Sequence, residues 1–281
     1  IDEITKDVVP LDTDLEILLI NSCQINAIKV QTIINDFLTE KIYSTIFCMT
    51  ETKVKGHDFQ PIGIKMFSKH RGMRDKKGGG LALGYDEKAN IKMEMLETGS
   101  NDILAVEGKI NNTRCRIVLC YFDCTKQLNG KDYERNGTIQ NKVENLMGVD
   151  PNTALLVLGD MNGRLVELEP TIRSDANGEM IKSWTDKGDL YHLNAMDTCI
   201  GRYTFGSQNG RSAIDHVLVN ECMANSHISM WIDEDKTMLD ISDHNLVRVW
   251  FKLGNDNYKV KKKRPKKRVS WISRNPVNIL K

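Results

Sequence analysis

The segment Ala154-Leu-Leu-Val-Leu-Gly-Asp-Met-Asn-Gly163 joins an apolar run to a glycine, an acid and an amide. The run Ala154–Leu158 predicts a buried strand that ends at Gly159-Asp160. A polar residue at the end of a buried strand stands on a rigid scaffold, so Asp160 and Asn162 are candidates for chemistry. Taken alone, the Gly-Asp-x-Asn pattern is equally typical of a turn after a strand.

Polar side chains also end, interrupt or directly precede other predicted strands. These residues are Asn21, Glu51, Tyr121, Asp215, His216, Asp243 and His244. Carboxylates and carboxamides that converge at one edge of a sheet suit a hard, oxygen-binding cation such as Mg²⁺. A histidine oriented by a carboxylate suits proton transfer or phosphate binding. Each motif alone also has an ordinary explanation as a cap, a turn or a core side chain, and only the ordered set favours a site.

The apolar periodicity predicts a chain that mixes strands and helices. Helices are predicted over Ala27–Ile42, 132–147 and 177–192. Strands are predicted at Leu15–Asn21, Thr45–Met49, Ile103–Ile110, Arg114–Tyr121, Ala154–Leu158, Tyr203–Phe205, Ala213–Val219 and Leu246–Leu253, with another after Gly78–Gly80. We interpret the glycine run as a turn leading into a strand, because no Lys-Ser/Thr follows to complete a phosphate-binding loop. The mixture favours an α/β or α+β fold.

The charges divide the chain into three parts. Residues 1–14 form an acidic tail, and residues 255–281 hold ten Lys or Arg with one acid. The remaining residues, 15–254, carry 28 basic and 32 acidic side chains, a net charge of −4, and are predicted to form the domain. The basic run 259–268 fits phosphate binding or a nuclear address, or else a solvated linker without a partner.

Composition excludes several classes of protein. The chain of 281 residues is 40% hydrophobic and 27% charged, which is an ordinary globular balance. No apolar run approaches the roughly 20 residues that a membrane span requires, and no signal peptide is recognised. The seven cysteines form no CxxC pair, so we expect free thiols in a reducing compartment. A chain that begins at Ile1 suggests a fragment of a longer protein.

As an ordered set, these motifs resemble the endonuclease/exonuclease/phosphatase superfamily. More narrowly, they resemble the apurinic-type endonuclease domain of non-LTR (LINE-like) retrotransposons. The motifs are Leu19-Ile20-Asn21, Thr50-Glu51-Thr52-Lys53, Gly78-Gly79-Gly80-Leu81-Ala82-Leu83, Tyr121, Gly159-Asp160-Met161-Asn162-Gly163, Tyr203-Thr204-Phe205, Ser212-Ala-Ile-Asp215-His216 and Ser242-Asp243-His244. The resemblance covers about residues 15–254. It implies a DNase I-like four-layer α/β (α+β) sandwich, with two mixed β-sheets packed face to face, helices outside and the site at one end.

The resemblance implies a divalent metal, which is Mg²⁺ or alternatively Mn²⁺ because both bind similar oxygen ligands. Glu51 would hold this metal, with help from Asp243 or Asn21. Asn21 is also a candidate catalytic residue, since it stands at the end of the first predicted strand.

The resemblance also implies how the remaining groups act on a phosphodiester. Asp160 would orient and deprotonate the attacking water, and Asn162 would fix Asp160 and the phosphate. His244 would donate to a phosphate oxygen, and Asp215 would lock the His244 ring. Tyr121 would contact the phosphate or the leaving group. An activated water, charge neutralisation and in-line positioning are the requirements of this hydrolysis.

Four residues are predicted DNA contacts: Arg211, Thr204, Ser212 and Lys53. The stretch from Phe205 to Arg211 contains Asn209-Gly210, which is a strong hairpin signal. In relatives the equivalent stretch can enter a DNA groove, so this loop is a candidate for target selection; the alternative is a plain exposed turn. The chain departs from the family where Phe122-Asp123-Cys124 follow Tyr121 in place of Pro and Asn, and where Ser22-Cys23-Gln24 replace an Asn-Gly.

The resemblance implies a nuclear DNA endonuclease that nicks double-stranded DNA and leaves a 3′ hydroxyl to prime reverse transcription. Because no Tyr-x-Asp-Asp motif is present, the reverse transcriptase would lie elsewhere in the parent protein, and the basic tail would touch DNA or RNA. Abasic-site or RNA-directed nucleases and lipid phosphatases of the same superfamily are alternatives, although no apolar membrane loop is found. An inactive nuclease-derived binding module is a further alternative.

Overall fold

The structure, a computed structural model, describes residues 9–38, 41–53, 61–70, 79–124, 130–237 and 239–253. Its elements in chain order are β1 (Leu15–Asn21), α1 (Ala27–Phe37), β2 (Ser44–Thr50), β3 (Ile64–Lys69), β4 (Leu81–Asp86), β5 (Ile91–Leu96), β6 (Ile103–Ile110), β7 (Thr113–Tyr121), α2 (Gly130–Met147), β8 (Ala154–Asp160), α3 (Ala176–Asp186), β9 (Tyr191–His192), a 3₁₀ turn (Leu193–Ala195), β10 (Cys199–Ile200), β11 (Phe205–Ser207), β12 (Gly210–Ser212), β13 (Asp215–Val219), α4 (Glu221–Ala224), β14 (His227–Ile232) and β15 (Val247–Phe251).

Two mixed sheets form the centre of the molecule. The first has seven strands in the order β10-β14-β15-β1-β2-β4-β3, and the second has six in the order β5-β6-β7-β8-β13-β9. The parallel pairs are β1 with β2 and β7 with β8, whereas the long hairpins are antiparallel. A separate two-stranded ribbon joins β11 to β12.

The side chains of central strands such as β1 and β8 alternate between two cores, as a pleated strand buried on both faces requires. Between the sheets, Ile17 and Leu19 of the first pack with Leu156 and Val217 of the second. On the outer face of the second sheet, α2 and α3 bury Ile139, Val143, Ile181 and Trp184. On the outer face of the first sheet, α1 buries Ile33 and Phe37. These layers confirm the predicted four-layer, DNase I-like sandwich.

Most of the predicted strands are confirmed, several with shifted ends. Asn111-Asn112 forms the tight turn between β6 and β7, with φ of 47° and 71°. Two helices are shorter than predicted. The helix predicted to Ile42 has its cap at Leu38, and the one predicted to residue 192 ends at Asp186, just before Gly188 at φ 78°. Strands β3, β5, β9, β10 and β14 were not predicted.

Both predicted tails lie wholly or largely outside the described residues, so their roles stay predictions. The ordered sheets begin at Leu15 and end at Phe251, inside the predicted domain of 15–254. No helix among the described residues is long and apolar enough to cross a membrane. All seven cysteines are free thiols.

Candidate active site

Strand direction brings the polar strand ends to one edge of the sandwich. In the parallel pairs, Asn21 is opposite Thr50 in the first sheet, and Tyr121 is opposite Asp160 in the second. Asp215, the first residue of the antiparallel β13, is also opposite Asp160. The residues after β1, β2, β7 and β8 therefore share this edge with the start of β13.

Four of the predicted residues form a cluster that contains two hydrogen-bonded pairs. Nδ2 of Asn21 donates to Oδ2 of Asp160 at 3.0 Å. Nδ1 of His244 lies 2.7 Å from Oδ2 of Asp215, and Nε2 of His244 lies 3.3 Å from Nδ2 of Asn21. The cluster spans both sheets, because Asn21 belongs to the first and Asp160 to the second.

The electrostatics of the cluster favour a charged histidine beside a carboxyl group of raised pKa. Burial alone would lower the pKa of His244, but the charge and hydrogen bond of Asp215, with the charges of Asp160 and Asp243, raise it to about 10. Burial and the neighbouring charge of Asp215 raise the pKa of Asp160. Asp215 therefore favours the protonated form of His244, and Asp160 binds a proton more readily than an exposed aspartate.

The turn after β8 aims the Asp160 carboxylate. The backbone N–H of Asn162 donates to Oδ1 of Asp160 at 3.1 Å, and Asn162 has the left-handed φ of 45°. Nδ2 of Asn162 donates to the carbonyl of Phe122 at 2.8 Å. Gly159 precedes the acid because a Cβ there would lie 1.9 Å from the carbonyl oxygen of Cys120. The backbone N–H of Asn162 thus helps to hold the Asp160 carboxylate, whereas the Asn162 side chain binds the Phe122 carbonyl.

Glu51 lies beside Tyr121 and Lys53. The Tyr121 hydroxyl donates to Oε1 of Glu51 at 2.9 Å, and Nζ of Lys53 lies 3.1 Å from Oε2. Partial burial alone would lower the pKa of Lys53, but the hydrogen bond and charge of Glu51 raise it, with smaller contributions from Cys23 and Asp243. Tyr121 therefore orients a carboxylate.

The surroundings of Glu51 fit a cation. Lys53 already places a positive charge 3.1 Å from Oε2 of Glu51. Carboxylate oxygens are the donors that Mg²⁺ and Mn²⁺ prefer. Asn21 fits this role less well, since its Oδ1 accepts the N–H of Cys23 at 3.0 Å and its Nδ2 faces Asp160. Its position suits a residue that orients Asp160.

A second group of possible metal ligands is the acid and histidine cluster itself. Single atoms of Asp160, Asp215 and His244 lie within 4.8 Å of one another. Oδ1 of Asp215 is buried without a hydrogen-bond partner. Both nitrogens of His244 already have neighbours, so the histidine is better placed to act on a phosphate than to bind a metal.

Two of the four predicted DNA contacts, Thr204 and Ser212, are buried, and their hydroxyl groups have partners within the protein. Thr204 is 0% exposed, and its Oγ1 accepts the N–H groups of Ile214 and Asp215. Ser212 is 2% exposed and accepts a hydrogen bond from Arg164 at 2.8 Å. Thr204 supports the backbone of Asp215, because its Oγ1 accepts the Asp215 N–H at 2.9 Å.

The other two predicted contacts are exposed at the rim. Arg211 belongs to the β11–β12 hairpin and lies 3.6 Å from Glu234. Lys53 is partly exposed next to Glu51. The hairpin itself is confirmed, but the turn is one residue earlier than predicted: Ser207 pairs with Gly210, which leaves Gln208 and Asn209 at the tip.

Sequence reasoning missed the contact between the hairpin and His244, the predicted catalytic histidine. The Phe205 ring packs edge-on against His244 with centroids 5.1 Å apart, and the two backbones form an isolated bridge. His216, by contrast, is a buried structural histidine, because it contacts His192 and the Gly163 carbonyl. The sequence feature that could have indicated the role of Phe205 is its place in the motif Tyr203-Thr204-Phe205.

The sequence matches a family model described as endonuclease-reverse transcriptase over residues 115–248. This range includes Tyr121, Asp160, Asp215 and His244. No curated protein sequence matches the chain.

Solved structures share the fold. The endonuclease domain of TRAS1, a telomere-specific non-LTR retrotransposon, is 19% identical with a TM-score of 0.61, and the match covers 86% of this chain and 99% of that one. The 3′-5′ exonuclease NExo of Neisseria meningitidis is 17% identical with a TM-score of 0.63, over 85% of this chain and 100% of that one. The AP endonuclease LMAP of Leishmania major is 11% identical with a TM-score of 0.65, over 86% of this chain and 89% of that one.

Together, the family model and the shared fold confirm the resemblance drawn from the sequence. The chain has the DNase I-like fold of the endonuclease/exonuclease/phosphatase superfamily, and its match is to the endonuclease family associated with reverse transcriptases. These findings support a nuclease that acts on phosphodiester bonds.

Proposed function

We propose that this chain, which has the fold of the endonuclease/exonuclease/phosphatase superfamily, is a divalent-metal-dependent DNA endonuclease. It nicks one strand of double-stranded DNA in the nucleus and leaves a 3′ hydroxyl, which primes a reverse transcriptase elsewhere in the parent protein. The observation that carries the proposal is the cluster of Asn21, Asp160, Asp215 and His244. In this cluster Asn21 orients the Asp160 carboxylate, Asp215 orients the His244 ring, and the two pairs lie in contact.

Asp160 acts as the base for the attacking water. Its two carboxylate oxygens are oriented by Asn21 and by the N–H of Asn162. The raised pKa strengthens it as a proton acceptor, because an acid buried beside Asp215 holds a proton more firmly than an exposed one.

His244 stabilises the charge that develops on the phosphate. Asp215 fixes its ring and favours its charged form, so its position costs little reorganisation during the reaction. Glu51 would hold the divalent cation with help from Asp243, and the Tyr121 hydroxyl fixes Glu51. When bound, such a cation supplies charge neutralisation and orientation at the phosphate.

Nicking of supercoiled plasmid tests the proposal. The wild-type protein is assayed with Mg²⁺, with Mn²⁺ and with EDTA, beside the variants Asp160→Asn and His244→Ala. His227→Ala is the matched control, because His227 begins β14 at the opposite end of the sandwich. We expect metal-dependent nicking that falls on the order of 10²-fold or more in the two site variants and is retained in the control.

The chemistry of the nick is the second readout. Extension of the nicked strand by an added polymerase identifies a 3′ hydroxyl directly. If cleavage is confined to duplexes with an abasic site, or to RNA, the substrate is that nucleic acid and not intact double-stranded DNA. A wild-type protein that cuts no phosphodiester would favour the inactive binding module.

A further inference from the structure

Two chain segments carry Tyr121, Asp160 and Asn162, which are candidate catalytic groups beside the second sheet. Residues 121–123 begin at the last residue of β7, and residues 160–163 begin at the last residue of β8 and form the turn after it. The N–H of Phe122 donates to the carbonyl of Asp160 at 3.0 Å, and Nδ2 of Asn162 donates to the carbonyl of Phe122 at 2.8 Å. The distance between Tyr121 and Asp160 therefore depends on how these two segments are held together.

A single buried amide contacts both segments. Asn177, in the first turn of α3, is 3% exposed. Its Nδ2 lies 2.9 Å from the carbonyl oxygen of Met161 and 3.1 Å from that of Asp123. The carbonyl oxygen of Asn162 is a third neighbour at 3.4 Å. Two N–H groups are thus shared among three backbone carbonyls that no helix or strand satisfies in the usual way.

Asn136 of α2 fixes the orientation of this amide. Nδ2 of Asn136 donates to Oδ1 of Asn177 at 3.1 Å, which leaves the nitrogen of Asn177 facing the two segments. Asn136 also binds Asp123 on both sides, accepting its N–H at 3.0 Å and donating to its carbonyl at 2.9 Å. The contacts form one continuous network from α2 through both segments to α3.

Close backbone packing prevents α3 from moving away from the turn. A Cβ on Gly178 would lie 1.9 Å from the carbonyl oxygen of Arg164, and one on Gly163 would lie 2.8 Å from the Ile181 side chain. Oδ1 of Asp175, the N-cap of α3, accepts the N–H groups of both Gly178 and Arg164. The start of α3 is therefore anchored to the turn.

We propose that Asn177 is a positioning residue for catalysis, because it sets the placement of the Tyr121 segment relative to the turn that carries Asp160. This inference rests on the proposed nuclease function. The N–H of Asn162 donates to the Asp160 carboxylate, so a shift of the turn moves the base. A displacement of about 1 Å at a reacting group can lower the rate about 10²-fold.

The variants Asn177→Asp and Asn177→Ala test the inference. Aspartate has the same shape but presents an oxygen to the backbone carbonyls in place of the N–H donors. Asn220→Ala is the matched control, because Asn220 also bridges backbone groups, donating to Thr153 at 2.8 Å and accepting from Leu155 at 3.1 Å, but at the opposite end of β8.

We expect kcat for plasmid nicking to fall roughly 10-fold to 100-fold in both Asn177 variants, with KM changed less than about 3-fold. The Asn220 variant should lose thermal stability without this loss of kcat. If the Asn177 and Asn220 variants lose equal amounts of thermal stability and also equal amounts of kcat, the inference is overturned. Such a result would indicate that Asn177 has a purely structural role.

Hydrogen exchange gives a readout that does not need activity. The amides of Phe122, Asp123 and Asn162, whose acceptors belong to the network, should exchange faster in the Asn177 variants than in wild type or Asn220→Ala. Unchanged exchange at these amides would contradict the inference even if activity fell. A wild-type protein without nuclease activity would contradict the proposed function, whereas an active wild type with unaffected Asn177 variants would contradict only the inference.

Discussion

Nδ1 of His244 lies 2.7 Å from Oδ2 of Asp215, and both side chains are almost fully buried at the edge where the two sheets meet. The pair joins the start of β13 to the loop before β15, two elements that belong to different sheets. The carboxylate fixes the ring and favours its protonated form. The position and the charge of His244 therefore depend on the same contact.

Replacing Asp215 by Asn should lower the pKa of His244 from about 10 towards the ordinary value of a histidine, because the largest favourable charge is removed. Proton NMR of the imidazole C–H signals in metal-free protein measures this shift. Nicking activity should fall on the order of 10²-fold or more. Asp233→Asn, a buried aspartate elsewhere, is the control and should leave the His244 titration unchanged.

Replacing Glu51 by Gln should raise the concentration of Mg²⁺ or Mn²⁺ that gives half-maximal nicking on the order of 10-fold or more, because a charged ligand becomes neutral. Metal titrations of the nicking rate measure this change. Glu144→Gln is a matched control, since Oε1 of Glu144 accepts a hydrogen bond from Trp184 much as Glu51 does from Tyr121. An equal change in both variants would argue against a metal ligand at Glu51.

Exchanging residues 206–211 should move the preferred nick positions, because the hairpin tip and Arg211 are exposed next to the site while Phe205 stays against His244. Mapping nicks on an end-labelled duplex of known sequence measures the change. The Asn111-Asn112 turn offers a control exchange in a second hairpin. If the nick pattern is the same for both exchanges, the hairpin does not select the target.

The strands that hold the site could be predicted because their apolar runs are buried on both faces. Leu15–Asn21 and Ala154–Leu158 illustrate this, since every residue of β1 and β8 is buried. Strands at or near sheet edges were missed. β3 and β14 mix polar and apolar residues with little regular alternation, because much of each surface is partly exposed.

The site was predictable as a set of residue types but not as a network. Asp160, Asp215 and His244 could be found from ordered motifs. The buried position of Thr204 and the contacts of Asn177 could not, because these side chains bind backbone groups whose approach depends on the packing of distant segments. Sequence patterns report burial and spacing along the chain, whereas such contacts depend on the tertiary fold.

The unfolding free energy should fall as the pH decreases from about 6.5 to about 4, in part because of His227. Burial lowers the pKa of His227 to about 4, and its Nε2 is buried without a partner beside Phe251. Over this range the unfolded chain binds a proton that the folded chain does not, so acid favours unfolding by up to roughly 3 kcal/mol. Urea unfolding at several pH values measures this. His227→Gln should flatten the dependence, and an unchanged slope would contradict the assignment.

A buried ion pair joins β1 to β15, and we expect the loss of one partner to destabilise the protein more than the loss of both. Glu16 is 0% exposed and Arg248 is 3% exposed, and Nε of Arg248 donates to Glu16 at 2.7 Å. Arg248→Met leaves a buried carboxylate without its partner and should cost about 3–5 kcal/mol of unfolding free energy in urea. The double variant Glu16→Leu with Arg248→Met should recover most of this loss, because no uncompensated charge remains between the sheet and α1. A double variant no more stable than Arg248→Met would instead assign the loss to the packing of Arg248 against Trp250.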